Sequence, residues 1–478
     1  MGSETIIMEL TSSSGGTWNT LTGAPFVTVS TDGIANGGSA TSNNGADYGP
    51  DTAGTSTGGI QEALNASTSA IIYVMKSAKG KYIQPNTCIF YTANYQVLIF
   101  EAGCYIQPLS TWAKSGTGNF GGNPPPVINV GVGSAGQVYH HCALFGNGTI
   151  IDGVNTLSSS ANAYSMIGVA PSGQAVAAGN PYMIKIDGFE LIHTNSTPFV
   201  VSGGNGSGYN NTYTTATKQI EISNIYAHEY QVPTTAVNLN GLQCNGSVWY
   251  CWAHDCIFDC SANTSSEDYS NMFIYGNQGD VKYWLVERCI FKGNGTVGQV
   301  IELQGANNAP ATLVVNEYLT FRECTFDTGA SSGAPLAGAG GGYIDDYDTS
   351  ASTNDFIDKI IFENCKWVNC GLTYKAAASR FGYVRYYGGA PGAISGTLTG
   401  RSPNEAPLAI TVGASPFTFT NTNTFRVIVY VAGGTVSSIT YNGTAVSAST
   451  GASFELDYND ALVVTYSAAP SMYQKAIP

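Results

Sequence analysis

Apolar side chains recur along this chain at i, i+2, i+5 and i+7, and six stretches follow that spacing. They are Ile184/Ile186/Phe189/Leu191, Ile220/Ile222/Ile225/Ala227, Cys251/Ala253/Cys256/Phe258, Trp284/Val286/Cys289/Phe291, Leu319/Phe321/Cys324/Phe326 and Ile360/Phe362/Cys365/Trp367. Residues two apart share one face of a strand. The step from i+2 to i+5 inserts one residue into that alternation, which reads as a short corner between two strands. Polar or turn-favouring pairs occupy the corner: Asp187-Gly188, Ser223-Asn224, His254-Asp255 and Glu363-Asn364. Asn and Gly accept the left-handed backbone such a corner needs. Successive copies begin 31 to 41 residues apart. Each interval therefore holds either a sizeable loop or a further, less regular turn.

One such repeat cannot bury its own apolar face, so neighbours must stack. The pattern predicts an all-β protein whose main body is a right-handed, single-stranded parallel β-helix. Its inward positions form columns through successive coils. Cys256, Cys289, Cys324 and Cys365 fall in one column and read as buried free thiols that pack as small hydrophobes. Disulfides between adjacent rungs are the alternative. Cys244, Cys251, Cys260 and Cys370 lie close enough in sequence to pair locally, and the spacing does not decide this.

Three parts follow along the chain. Residues 1–45 are Gly/Ser/Thr-rich and weakly patterned, and read as an arm or attachment segment. Residues 46–400 carry the β-helix, preceded by one short helix near 59–65 with Ile60, Ala63 and Leu64 on one side. A helix there would cover the open apolar end of the solenoid and its unpaired strand edge. From about Ala376 to Arg401 the repeat is lost, as in a linker or a closing coil. Residues 405–478 alternate over short runs (408–412, 417–421, 425–431, 435–441, 453–456 and 462–466) with turn residues between them, predicting a small antiparallel β-sandwich.

The segments "NNGADYGPDT" and "GGIQEALNAS" (43–52 and 58–67) resemble the N-terminal cap of the pectate-lyase-like superfamily of parallel β-helices, which includes polygalacturonases, pectate lyases and phage tailspikes. "GNGTIIDG" (146–153) is similar to the first rungs of polygalacturonase-type members, and "IKIDGFEL" (184–191) to their next rung. The resemblance spans about 40–375 and implies a fold, not an activity. The C-terminal stretch resembles a compact β module appended to structural proteins of tailed phages and archaeal viruses.

Composition narrows the function. Charged residues make up 10% of the chain, and the net charge of −14 reflects only 18 basic residues. No basic stripe exists to displace counterions from phosphates, so nucleic acid is not an expected partner. No apolar run approaches the roughly 18–20 residues of a membrane span. The first ten residues lack the basic flank of a secretory signal peptide. The eleven cysteines include no CxxC and no Cys/His set at zinc spacing, so no metal is expected there.

Polygalacturonase-type hydrolases carry three close aspartates, a G-H-G and an R-x-K; none survives here in order. Asn238 and Asn240 stand near the expected aspartate pair, and Arg385 lacks a lysine two residues on. Glycoside hydrolysis needs two carboxyl groups flanking one bond. The weak catalytic candidates are Glu267, Asp268, Asp345, Asp346 and Asp348, which read more simply as solvated turn residues. The lyase reading would add a Ca²⁺ ion on Asp345, Asp346 and Asp348, without an evident base; otherwise no cofactor is expected. His140 and His141 are neighbours whose side chains should point to opposite faces of a strand. His193, His228 and His254 read as corner residues.

The outward face carries a stronger signal. Tyr250, Tyr283 and Tyr318 sit just before three successive copies of the motif, with Trp252 and Leu285 one position after its start. Ile257 and Ile290 lie between its last two members. A solvated sheet face would be polar there. A covering loop, a neighbouring subunit and a bound sugar would each explain the stripe. The sequence thus points to a virion surface protein: a spike, fibre or turret subunit that recognises a host glycan or decorates a capsid. Its expected partners are copies of itself (a homotrimer, as the tailspike resemblance implies, or another homo-oligomer), other virion proteins, and a polysaccharide or glycoprotein glycan. A secreted polysaccharide hydrolase or lyase and a cell-surface adhesin are the alternatives.

Overall fold

A computed structural model describes the chain from residue 26 to 476, except for 33–45, 67–70, 79, 81, 110–125, 135–136, 154–164, 170–179, 195–196, 204–215, 230–238, 263–268, 276–278, 296–298, 305–313, 331–341, 347–354, 377–383, 393, 396–406, 422–426, 448–449 and 458–459. A parallel β-helix forms the main body. Each copy of the motif lies in a long parallel sheet of sixteen strands, and one strand of a second, ten-stranded parallel sheet falls in each interval between copies. Val248–His254, Ile257–Asp259 and Tyr269–Tyr275 make one such coil before Val281–Glu287 begins the next. The coils wind in the right-handed sense that connections between parallel strands take. Register is constant from coil to coil: Cys251 pairs with Trp284, Trp284 with Leu319, and Leu319 with Ile360.

The predicted corner is present and uses one left-handed residue per coil. Gly188, Asn224, Asp255, Arg288, Glu323 and Asn364 have φ of 80°, 52°, 55°, 50°, 54° and 52°. Asn and Gly were legible in this role; Arg288 and Glu323 pay a steric penalty on the order of 1 kcal/mol. Hydrogen bonds to the next coil offset it. The N–H groups of Asp255, Arg288 and Glu323 donate to the carbonyls of Glu287, Arg322 and Glu363 at 3.1, 2.9 and 2.7 Å.

A second bend was not legible. It falls one residue before each copy, at Met183, Gln219, Tyr250, Tyr283, Tyr318 and Lys359, and at the equivalent positions Tyr95 and His141 of two earlier coils, all with φ between 54° and 65°. Apart from His, none of these residue types favours that conformation. The bend overturns the expectation for His140 and His141. Alternation breaks at His141, and the two Nδ1 atoms lie 2.7 Å apart.

Inside the helix, identical positions stack. Phe258, Phe291 and Phe326 form one column with ring centroids 5.7 Å apart at each step. Phe321 and Phe362 continue another at 5.0 Å. The cysteine column is a ladder of thiols: Cys289 and Cys324 donate to the carbonyls of Ala253 and Val286 at 3.6 and 3.3 Å. All eleven cysteines are buried, and none forms a disulfide. Burial pushes the Cys256 and Cys324 thiols well above their ordinary range, and Cys104 and Cys142 to about 12. Because every thiol is shielded from solvent, a thiol reagent at pH 8 is expected to label essentially none of the eleven cysteines in the folded protein and all of them in guanidinium. Rapid labelling of Cys256 or Cys324 under native conditions would show that the ladder is open.

The helix Ile60–Ala66 buries Ile60, Ala63 and Leu64 against the first coils. Gln61 ties it to the second sheet, exchanging hydrogen bonds with the Phe90 backbone at 2.8 and 3.0 Å. Phe26–Val29, inside the stretch read as an arm, is the first strand of the long sheet and pairs with Ile71–Val74. At the other end, Val384–Tyr387 and Ile394–Ser395 pair in parallel with the preceding strands of the two sheets, so these residues belong to a closing coil.

The C-terminal residues form two four-stranded antiparallel sheets. Val427, Val429, Val431, Ile439, Leu456, Leu462, Val464 and Met472 make their common core. The alternating runs appear as strands, joined by two that the pattern did not reveal: Thr444–Ser447 and Ser471–Ala476. The latter pairs with both Leu408–Ile410 and Val427–Ala432.

Candidate functional site

The aromatic stripe is an ordered ladder on the outward face of the long sheet. At each second bend the left-handed residue follows an outward one, so two consecutive side chains leave the core: Trp249 with Tyr250, and Lys282 with Tyr283. Tyr250 stacks on Tyr283 with centroids 4.7 Å apart and planes 10° from parallel, and Tyr283 on Tyr318 at 4.9 Å and 15°. The three rings stay 45%, 38% and 39% exposed. Lys359 closes the column. It occupies the same bend in the next coil, places Nζ 4.1 Å from the Tyr318 ring centre, and donates to its hydroxyl at 2.8 Å. Lys359 was missed although it holds the equivalent position before the sixth copy of the motif.

Charged residues border the ladder on one side. Lys282 bridges Asp280 and Glu317 at 2.8 and 3.3 Å, and Lys359 reaches Glu317 at 3.1 Å. Burial, with Glu317 beside it, raises the Tyr283 pKa. That phenol stays protonated and can donate hydrogen bonds at physiological pH. On the other side lies the Trp252 column, where Trp252 pairs in register with Leu285. Trp252 is exposed, with one face stacked on His254 at 4.0 Å; Leu285 is half-buried. The next outward column holds Tyr226 and Ile290, both exposed, with Ile257 half-buried between them. Tyr226 stacks on His228 at 4.1 Å.

The corner beside Trp252 is electrostatically locked. The Arg288 hydrogen bonds hold the Asp255 carboxyl down to about 2. Burial opposes charge on His254, but hydrogen bonds to Glu221 and Asp255 outweigh it and raise its pKa. Glu221 also accepts from Lys185 at 2.6 Å. These pairs fix the bend beneath the aromatic face; the exposed Arg288–Asp255 pair adds little to stability.

The stacking geometry limits what the ladder can bind. Each tyrosine covers its neighbour's ring face, so the column offers ring edges and hydroxyls. Trp252 and Tyr226 have one face backed by histidine, and they are the flat surfaces on which an apolar sugar face or another protein could lie.

The carboxylate candidates are placed elsewhere. Asp345 and Asp346 end the strand Gly342–Asp346 in the second sheet, where Asp345 pairs in register with Gln304 and Lys375. The tyrosines belong to the long sheet, so the two sets occupy different sheets. Glu267, Asp268 and Asp348 lie outside the described residues. Among the described residues no group of three or more His, Cys, Asp or Glu side chains could hold a metal ion, and no helix is long and apolar enough to cross a membrane. The histidines instead form a chain with acids at the corners. His193 bonds Asp152 at 2.9 Å and Glu229 at 2.7 Å, and His228 bonds Glu190 at 2.9 Å.

The molecule is thus a parallel β-helix with an aromatic ladder on one outward face. It is similar to solved phage tailspikes. One is the tailspike gp49 from Acinetobacter baumannii bacteriophage Fri1, a capsular polysaccharide depolymerase, at 10% identity and a TM-score of 0.31 over 87% of this chain and 80% of that one. Another is the Acinetobacter baumannii phage AM24 tailspike, at 9% identity and a TM-score of 0.35 over 87% of this chain and 78% of that one. No protein-family model matches the chain, and no curated protein matches it at a significant level. The fold stands on the strand register itself.

Proposed function

We propose that this protein is a structural surface protein of a virus, a spike-, fibre- or turret-type β-helix that attaches to a host glycan. The observation that carries this reading is the exposed Trp252 face beside the ring edges and hydroxyls of Tyr250, Tyr283 and Tyr318. Its corners are hydrogen-bonded from coil to coil, so binding would not have to order a loop. Preorganised aromatic surface bordered by hydroxyls suits carbohydrate, whose rings present an apolar face and a polar rim. A stacked coil also suits attachment mechanically, because every coil is tied to its neighbours by backbone hydrogen bonds.

The test is binding of the full chain to host cell-surface polysaccharide. Trp252→Ala and Tyr283→Ala are each expected to weaken binding at least tenfold, the scale of a lost aromatic anchor. Unchanged affinity in both variants would remove this face as the glycan site.

A second role for the same surface is favoured by Tyr226 and Ile290, which are 40% and 37% exposed. Aliphatic and aromatic exposure of this kind suits a subunit contact, and we propose that copies of the chain associate here as a homotrimer or another homo-oligomer. Light scattering of wild type and Ile290→Lys distinguishes the roles: an interface variant dissociates, whereas a glycan-site variant keeps its assembly.

A further inference from the structure

A cleft of about 700 Å³ opens at the capped end of the helix, among the turns before Ile60–Ala66 and the first coils. Its described walls include Thr31, Ser56, Tyr82, Ile83, Gln84 and Asn86. None of its described lining residues is charged. The polar groups are hydroxyls and amides, which can both donate and accept. Tyr82 is 49% exposed and is the most exposed tyrosine among the described residues. Its other face is backed by Tyr105, with centroids 4.4 Å apart and planes 26° from parallel. Tyr105 is in turn anchored by a hydrogen bond to Asp152, whose carboxylate also holds His193 at 2.9 Å. The platform is therefore fixed before any ligand arrives. Gln84 is exposed beside it.

Small-molecule sites typically occupy about 300–1,000 Å³ and combine an apolar surface with a few directed polar groups. An anionic ligand would require basic residues, and a purely apolar one would leave the hydroxyl and amide wall unsatisfied. A rigid aromatic ring facing uncharged donors and acceptors fits a pyranose: its C–H face lies on Tyr82 while its hydroxyls replace water on Ser56, Gln84 and Asn86. We infer that this cleft is a second carbohydrate site, specific for a neutral sugar and separate from the tyrosine ladder on the outward face. It does not rest on the viral reading, since it uses none of the residues that carry that proposal.

The experiment is titration of the full chain with maltotriose, cellotriose and mannotriose, followed by calorimetry or ligand-observed NMR. Trigalacturonate runs in parallel, because Lys79 and Lys81 adjoin Gly80 and Tyr82 in sequence. At least one neutral trisaccharide is expected to bind saturably. Tyr82→Ala should weaken it at least tenfold and Gln84→Ala several-fold. Tyr82→Phe, which keeps the platform, should retain binding, and Tyr430→Ala, an exposed tyrosine of the C-terminal sheets, should leave it unchanged. The inference is overturned if no neutral trisaccharide saturates, if only trigalacturonate binds, or if Tyr82→Ala binds as wild type does. Loss of binding in Tyr283→Ala together with full retention in Tyr82→Ala would assign the sugar to the ladder instead.

Discussion

Phe291→Ala is expected to lower the free energy of unfolding by about 3–5 kcal/mol, the range for truncating a buried aromatic. Phe291 is fully buried between Phe258 and Phe326, whose rings lie nearly parallel to it at 5.7 Å on either side. The cavity could close only if neighbouring coils approached. They cannot, because Ile290, Phe291 and Lys292 are paired in register with strands on both sides. Strand spacing, fixed by backbone hydrogen bonds, thus holds the void open. In a solenoid the loss falls on the interfaces with both neighbouring coils, so the effect should sit at the upper end of the range. Phe291→Leu, which refills most of the volume, should cost less than half as much. Urea denaturation measures both; a loss under 1 kcal/mol for the alanine variant would mean that the phenylalanine column is not a packed core.

The second large effect is expected at Gly203→Ala. A Cβ there would lie 1.9 Å from the Ser247 carbonyl oxygen and 2.6 Å from its carbon. The obstacle is backbone and is tied on both sides: Gly203 N–H donates to Asn245 O and Thr217 N–H to Ser247 O, each at 3.0 Å. No rotamer change relieves the clash, so one coil must move against the next. The expected cost is about 3 kcal/mol, the high side of overpacking. Gly148 supplies the control. It has φ of +80° but open space around its Cβ position, so Gly148→Ala should cost only the left-handed penalty of about 1 kcal/mol. If thermal unfolding ranked the two variants equally, contact with Ser247 would not be what requires glycine at 203.

Much of the helix was legible because burial imposes a spacing on the chain. The i, i+2, i+5, i+7 positions are all inward, as shown by Trp284, Val286, Cys289 and Phe291, each at most 1% exposed. The corner was legible at Gly188, Asn224 and Asn364, whose side chains suit a left-handed backbone. The bend at Tyr250, Tyr283 and Tyr318 was not, because tyrosine has no such preference; Met183 and Gln219 make the same bend, so the coil imposes it on whichever residue falls there. For the same reason, the reading of His140 and His141 as back-to-back residues failed. Strict alternation assumes an unbent strand, and His141 lies at the bend.

The site divides along the same line. That Tyr250, Tyr283 and Tyr318 face outward could be read from their place beside the motif, since whatever flanks a buried position on a strand must point away. Their stacking, its termination by Lys359, and the pairing of Tyr82 with Tyr105 could not. Those contacts join residues 23 to 41 positions apart. Local propensity settles which side of a strand a residue takes, whereas a contact between coils depends on how many residues each intervening turn consumes. Only the closed ladder of hydrogen bonds sets that count.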